Sequence, residues 1–461
     1  MTDRTTARRS RSQLGATRWA CALAVAAGTL LGASAGAADL SDLVRRAVEA
    51  RDGRAERVDG APSLSRDEAA QLWDGFLTSV VKRAAQDAAT EELRADLLAA
   101  LLGDRYAVLA AFDSAERDGA RWLAEHFQDA WPRLDGVLDR VATELPPETA
   151  SRYREFLASA RLLEKARAYG WLDAGATSPA ALRDLALRIL PQGSPDPLRY
   201  DAAVDPELRA VFGFGGALPE PVASPLLDAT PPTAFLVSPL AVLARLAQSG
   251  GDWLVPSAHA AASGWDWHTL VTRLNSWVPA GSKEMREYLP LVTEMLRGTA
   301  HTLAERRLPA EHFDIYRNLV IATAWQESCW RQYEKKAGQV QPVRGPGGIG
   351  LMQINARVWR GLYDSTGVAA DIGYNGRAGA EILYHYMRKH AIRGKEHMAP
   401  GGADNLARAT YAAYNGGPGH LRRYRKPTTS ARLRAVDTEF WQKYQAVESG
   451  QESAFFRCAV E

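Results

Sequence analysis

From about Leu64 to Ile189, apolar residues return every three or four positions. In DEAAQLWDGFLTSVVKRAAQD, the residues Ala70, Trp73, Phe76, Leu77 and Val80 fall on one stripe. That spacing marks a helix with one buried face. The stretches RYAVLAAFDSAERDGARWLAEHFQDAW and ETASRYREFLASARLLEKARAYGWL follow the same rule. Their Trp and Tyr residues share the helical spacing, which places them in a core in preference to a sugar-binding groove. Alternation with period two is scarce, so the pattern predicts a mostly α fold. No fixed longer period aligns, so a repeat solenoid stays open but unproven.

The pattern changes after Ile189. LPQGSPDPLRY, FGFGGALPEPVASP and DATPPTAFLVSP are rich in Pro and Gly and read as irregular linking structure with short helices. GFGG lacks the full dinucleotide-binding spacing and follows no clear strand. Helical periodicity returns in KEMREYLPLVTEMLRGTAHTLAERR, and Leu308-Pro309 forms a boundary, with Pro309 suited to the first turn of the next helix. The divisions expected are residues 1–38, an all-helical accessory region at 39–190, a Pro/Gly-rich linking region with helices at 191–307, and a last domain at 308–461.

The beginning of the chain stands apart. A basic stretch with Arg8, Arg9, Arg11 and Arg18 precedes the short apolar run ACALAVAAGTLLGA, followed by the small-residue sequence ASAGAAD. This reads as a secretory signal peptide ending near Ala37 or Ala38, with an uncleaved anchor as the alternative. The expected location is therefore periplasmic. Five Arg and one Asp lie in residues 1–38, so removing them takes the formal net charge from +2 to −2. So balanced a chain does not suggest a nucleic-acid partner. Its charge is nonetheless uneven: residues 311–461 hold 21 bases and 14 acids, which favours a polyanionic or carboxylate-bearing ligand there, with solubility alone as the alternative. Two cysteines remain after export, Cys329 and Cys458. In an oxidising compartment they form either a disulfide or two unrelated thiols.

Chemistry concentrates in the last third. In PAEHFDIYRNLVIATAWQESCWRQYEKKAG, Phe313, Tyr316, Val320, Ala324 and Glu327 follow one helix face, and Gly338 is the expected stop. Glu327 thus continues an apolar stripe. A desolvated carboxyl holds its proton to higher pH, which suits a general acid; a structural Glu paired with an Arg would occupy the same position. GPGGIGLMQINARVW follows, with glycines that let the backbone approach closely and Asn355 as an expected cap for a helix through Val358 and Trp359. DIGYNGRAGAEILYHYM offers Asn375 as a cap, and Asp371 as a cap or turn residue. NLARATYAAYNGGPGHLRRY ends a helix at Gly416-Gly417-Pro418 and presents Tyr414 and Asn415 at its terminus.

Taken in order, Glu327-Ser328, Gly350 to Ile354, Asn375 with Gly379 and Leu383, and Ala413 to Gly419 resemble the signature of the soluble (Slt-type, goose-lysozyme-like) lytic transglycosylases. The resemblance covers the C-terminal third. It implies a lysozyme-like fold with Glu327 as the single catalytic acid/base. It also implies substrate contacts from Ser328, Met352, Gln353, Tyr414 and Asn415. Two departures stand out: the polar insert EKKAGQVQPV, and Arg344-Gly345 where the family commonly has a substrate-binding serine.

No partner carboxylate for Glu327 appears in these motifs, as a two-carboxylate glycosidase would need. Glu334 is expected two turns further along the same helix. The resemblance implies cleavage of the MurNAc-GlcNAc β-1,4 bond of peptidoglycan with a 1,6-anhydro-MurNAc end. The alternatives are a muramidase-type hydrolase on the same fold and a non-catalytic scaffold that holds glycan within an envelope or secretion complex. The nine histidines are scattered, and no motif calls for a metal or an organic cofactor.

Overall fold

The helical periodicity is realised through residues 64–110, 118–168, 177–227 and 266–451, which the computed structural model describes. Residues 1–38 and Cys458 lie outside them. Contacts divide the chain into two units. One comprises residues 1–89 and 113–200, the other residues 90–112 and 201–461. Among the described residues, no helix is long and apolar enough to cross a membrane.

The first unit is a helical cluster of α1 (Arg66–Asp87), α3 (Gly119–Glu144), α4 (Pro147–Ala168) and α5 (Pro179–Leu187). Ser65 and Glu68 close α1 with a reciprocal capping box, which satisfies two otherwise orphaned N–H groups. Trp73, Phe76, Phe127, Trp131 and Phe156 are buried in its core. Phe127 stacks on Trp131 at 5.6 Å between ring centroids. These five aromatic residues are therefore core residues, as their spacing implied.

The second unit begins with a helix borrowed from the N-terminal sequence, α2 (Glu91–Ala110). Then come α6 (Pro206–Val211), α7 (Trp267–Asn275), α8 (Gly281–Arg307) and α9 (Phe313–Ser328). A hairpin of β1 (Tyr333–Lys336) and β2 (Gln339–Pro342) is followed by α10 (Ser365–Ala370) and α11 (Ile372–Tyr386). The unit ends with α12 (Asp404–Gly416) and α13 (Ala431–Glu448). Tyr333 pairs with Pro342 and Lys336 with Gln339 in the antiparallel hairpin. Ala337 and Gly338 turn it with φ of 50° and 85°, as a tight two-residue hairpin turn requires.

These units cut the chain differently from the expected boundaries at 190 and 307, and the reason is polar. Arg105 of α2 donates to the carbonyls of Val358 and Arg360, both at 2.9 Å. Asn275 of α7 donates to Asp371 at 3.1 Å and accepts from Tyr333 at 2.9 Å and from the Ile372 N–H at 2.8 Å. Arg209 of α6 is fully buried. It donates to the carbonyls of Gly216, Leu362 and Phe214 and pairs with Glu381 of α11 at 2.9 Å. The described residues 201–227 and 266–307 of the Pro/Gly-rich region thus belong to the same unit as the last domain, while residues 191–200 belong to the first unit.

Four local expectations are corrected. The helix carrying Glu327 ends at Ser328, not near Gly338, because Cys329 and Trp330 both take left-handed φ, 53° and 59°. Glu334 therefore stands on β1, where it accepts from Gln341 at 3.1 Å. Asn355 caps only a turn: its carboxamide oxygen accepts from the N–H groups of Arg357 and Val358. Asn375 sits inside α11, whose cap is Asp371.

Arg209→Ala removes the close cation from the buried Glu381, leaving only Arg377 at 3.9 Å, and should cost about 3 kcal/mol. Urea unfolding followed by tryptophan fluorescence measures it. A loss under about 1 kcal/mol would mean that the pair does not hold the linking region in place.

Candidate active site

The segment Gly350–Gln353 runs through the interior, and buried backbone must find partners. Four side chains from four places supply them. Gln332 accepts from the Leu351 N–H at 2.8 Å. Asn375 accepts from the Met352 N–H at 2.8 Å. Ser328 donates to the Leu351 carbonyl at 2.6 Å, and Tyr414 donates to the Met352 carbonyl. Glycine is required at two points. Gly350 has φ of 73°, and a Cβ there would lie 2.4 Å from the Asn375 amide nitrogen. A Cβ on Gly379 would lie 2.5 Å from Met352. The spaced Asn375 and Gly379 thus serve this loop.

The loop is threaded beside the end of α9. Trp330 folds back, its indole N–H bonded to the Ile321 carbonyl at 3.1 Å and its ring stacked on Trp325 at 4.6 Å. Tyr288 of α8 donates to the Trp330 carbonyl at 2.9 Å. These contacts hold two adjacent left-handed residues that are costly for anything but glycine. The break ends the helix just after Glu327 and leaves that residue in the last turn.

Glu327 is half-buried, with partial access to solvent. Protein atoms nonetheless crowd the carboxyl so closely that desolvation dominates and pushes its pKa up to about 7. Its position at a helix C-terminus acts in the same sense. Four influences oppose the rise: the Tyr411 hydroxyl, the more distant charges of Lys443 and Arg423, and the Asn415 side chain. Tyr411 donates to Glu327 Oε1 at 3.1 Å. The phenol is itself buried and stays neutral, its pKa raised by burial and by the Glu327 charge. The residue is therefore a carboxyl able to hold and release a proton near neutrality.

The expected site residues separate into two groups. Asn415 is exposed and reaches the surroundings of Glu327. Ser328 and Met352 are buried; the Ser328 hydroxyl is committed to the loop, and the Met352 side chain is fully enclosed. Gln353 donates to the carbonyls of Val343 and Gly350 and accepts from the Gly345 N–H at 2.7 Å. Its side chain thus ties down the glycine-rich turn. Tyr414 is 8% exposed, with its hydroxyl on Met352 and its carbonyl bonded by Tyr106 of α2 at 3.3 Å. Most of the motif therefore builds the wall around the acid. Arg344 is exposed.

Sequence reasoning passed over three contributors. Tyr411 precedes Tyr414 by one helical turn, a spacing that could have singled it out. Phe440 and Lys443 come from α13, which carries no motif. Cys329 is disulfide-bonded, and its expected partner Cys458 is outside the described residues. Among the described residues, no group of three or more His, Cys, Asp or Glu is placed to hold a metal.

Comparison with known proteins locates this arrangement. Residues 308–435 match the family model for the transglycosylase SLT domain. The C-terminal third is thus a domain of that lysozyme-like type, consistent with a lytic transglycosylase. No curated protein and no solved structure matches the chain.

The Glu327 pKa also predicts a stability effect. It is about 7 in the folded chain, above its ordinary 4.5. Folded wild type therefore holds this proton more tightly, and that contribution is lost as pH rises through 4.5 to 7. Glu327→Gln escapes this loss, so it should be more stable by about 2–3 kcal/mol above neutrality, fading to little at pH about 4. Thermal melts of both proteins at the two pH values test this. A difference that does not change with pH would refute it.

Proposed function

We propose that the protein is a peptidoglycan lytic transglycosylase that cleaves the MurNAc-GlcNAc β-1,4 bond and leaves a 1,6-anhydro-MurNAc end. The observation that carries this reading is the carboxyl of Glu327, proton-bearing near neutrality, at the end of α9 in an SLT domain. The groups acting on it are phenols, an amide and cations. Glu334 is on a hairpin strand, Asp371 caps α11, and Asp437 is held by Arg423 at 2.7 Å. A mechanism with one acid needs no second carboxylate.

Glu327 gives its proton to the glycosidic oxygen as the bond to C1 of MurNAc breaks. The substrate's own 2-acetamido oxygen takes the place of the leaving sugar on C1. The carboxylate left behind then removes the proton from the C6 hydroxyl. The C6 oxygen closes on C1 and expels the acetamido oxygen. Glu327 ends protonated, and no water is consumed. Asn415, exposed beside the acid, is placed to hold the acetamido group or the ring. The net positive charge of residues 311–461 suits a glycan bearing acidic peptides. We place this activity in the periplasm, after export on the N-terminal signal.

Glu327→Gln should abolish cleavage of purified peptidoglycan while binding persists, and residual turnover within about tenfold of wild type would remove Glu327 from the acid role. Mass spectrometry of wild-type products separates the chemistries. Anhydro ends are lighter than hydrolysed ends by one water, so hydrolysed ends would instead identify a muramidase. No product at all would favour the scaffold. The pH profile gives a further check: kcat/KM should fall as pH rises past about 7, where the acid loses its proton.

A further inference from the structure

The phenol of Tyr411 is 1% exposed, and its hydroxyl reaches Glu327 Oε1 at 3.1 Å. Its ring lies flat on Phe440 of α13, with centroids 3.9 Å apart and planes 5° from parallel. Phe440 is equally buried and packs in turn near Tyr444, at 6.4 Å. One turn after Phe440, Lys443 pairs with Glu439 at 2.7 Å and sets its ammonium 5.8 Å from the Trp325 ring of α9. Phe440 and Lys443 both follow the last residue of the SLT match. The C-terminal helix therefore puts a rigid aromatic face behind Tyr411 and a cation near the acid.

A phenol that donates to one carboxyl oxygen fixes which oxygen carries the acidic proton. With the Tyr411 O–H pointing at Oε1, that atom is the acceptor, and the proton of neutral Glu327 belongs on Oε2. When Glu327 gives the proton away, the same bond becomes charge-assisted and strengthens. An aromatic stack keeps the donor from turning aside. We propose that Tyr411, braced by Phe440, is a positioning residue that directs the proton of Glu327 toward the scissile oxygen. This rests on the reading of Glu327 as the acid.

The groups that face Glu327 are few enough to isolate the effect. Tyr411, Tyr414 and Asn415 come from α12, Tyr106 from α2, and Lys443 from α13. Arg423 contributes as well, but Asp437 neutralises it at 2.7 Å.

Tyr411→Phe keeps the ring on Phe440 and removes only the hydroxyl, so the fold should survive, as circular dichroism melts can verify. On soluble peptidoglycan fragments, kcat should fall about tenfold or more with KM within twofold of wild type. Loss of a donor to the carboxylate should also move the alkaline limb of kcat/KM upward by about half to one pH unit. Phe440→Leu retains the hydroxyl but loses the flat brace. It should lower kcat less, again with KM kept. A purely structural role would lower activity without moving the limb. An unchanged kcat, or a fixed limb, in Tyr411→Phe would overturn the proposal. Glu327→Gln separates the two failures: if it is inactive while Tyr411→Phe behaves as wild type, only the positioning role falls. If Glu327→Gln stays active, the acid itself has been misassigned.

Discussion

A stretch of backbone passed through a protein interior must have its N–H and C=O groups paired, or each orphan costs on the order of 1–3 kcal/mol. In this protein that stretch is Gly350–Gln353, and its needs set the geometry of everything near Glu327. The pairing groups come from the end of α9, from the residue leading into β1, from the first turns of α11 and from the last turn of α12. Meeting the demands of a few backbone atoms therefore brings four distant pieces of sequence to one place. Loss of any one partner leaves a buried polar group unpaired. Side chains that a family signature would associate with ligand are, for the most part, occupied with this task.

The consequence for Glu327 is a balance between two kinds of force. The wall built around the loop displaces water from the carboxyl and raises the cost of its charge. Tyr411, Asn415, Lys443 and Arg423 lower that cost without abolishing it. A stronger partner, such as an arginine in direct contact, would leave a permanent carboxylate with no proton to give. Burial alone would keep the proton too firmly to give up. A phenol is an intermediate choice: it donates a hydrogen bond and carries no charge. Arg423, which could have made the stronger pair, is instead held by Asp437 at 2.7 Å.

Much of this was legible in the chain. Helical spacing gave the fold class, and the apolar stripe through Tyr316, Val320 and Ala324 to Glu327 foretold a carboxyl set against a core. The glycines at 416 and 417 ended α12 as expected, with φ of 88° at Gly417. What escaped was whatever depends on tertiary contact. Cys329 and Trp330 have no local preference for left-handed backbone; Tyr288 and the stack on Trp325 hold them there, so the helix stops ten residues before Gly338. Asn375 resembles a cap by composition, yet Asp371 stands closer to the helix start and takes that role. Arg209 and Asn275 lie in a region whose Pro and Gly content reads as a linker. Only their buried hydrogen bonds reveal that the described residues around them belong to the same unit as Glu381 and Asp371.

The site also extends past the segment that carries its family resemblance. Tyr106 of α2 bonds the Tyr414 carbonyl, and its ring occupies the space in which a Cβ on Gly417 would lie 2.7 Å away. It therefore shapes the turn that ends α12 from a helix more than 200 residues earlier in the chain. Phe440 does the same for Tyr411 from the other side. Residues 308–435 supply Glu327 and its loop, while the neighbours that brace α12, which carries the donor Tyr411, come from before and after them. A motif can be short because it records only the atoms nearest the chemistry. The electrostatics of the acid depend on a larger shell, where packing and low exposure matter more than residue type. That shell lies on both sides of the motif, and it is where the proton affinity of Glu327 is set.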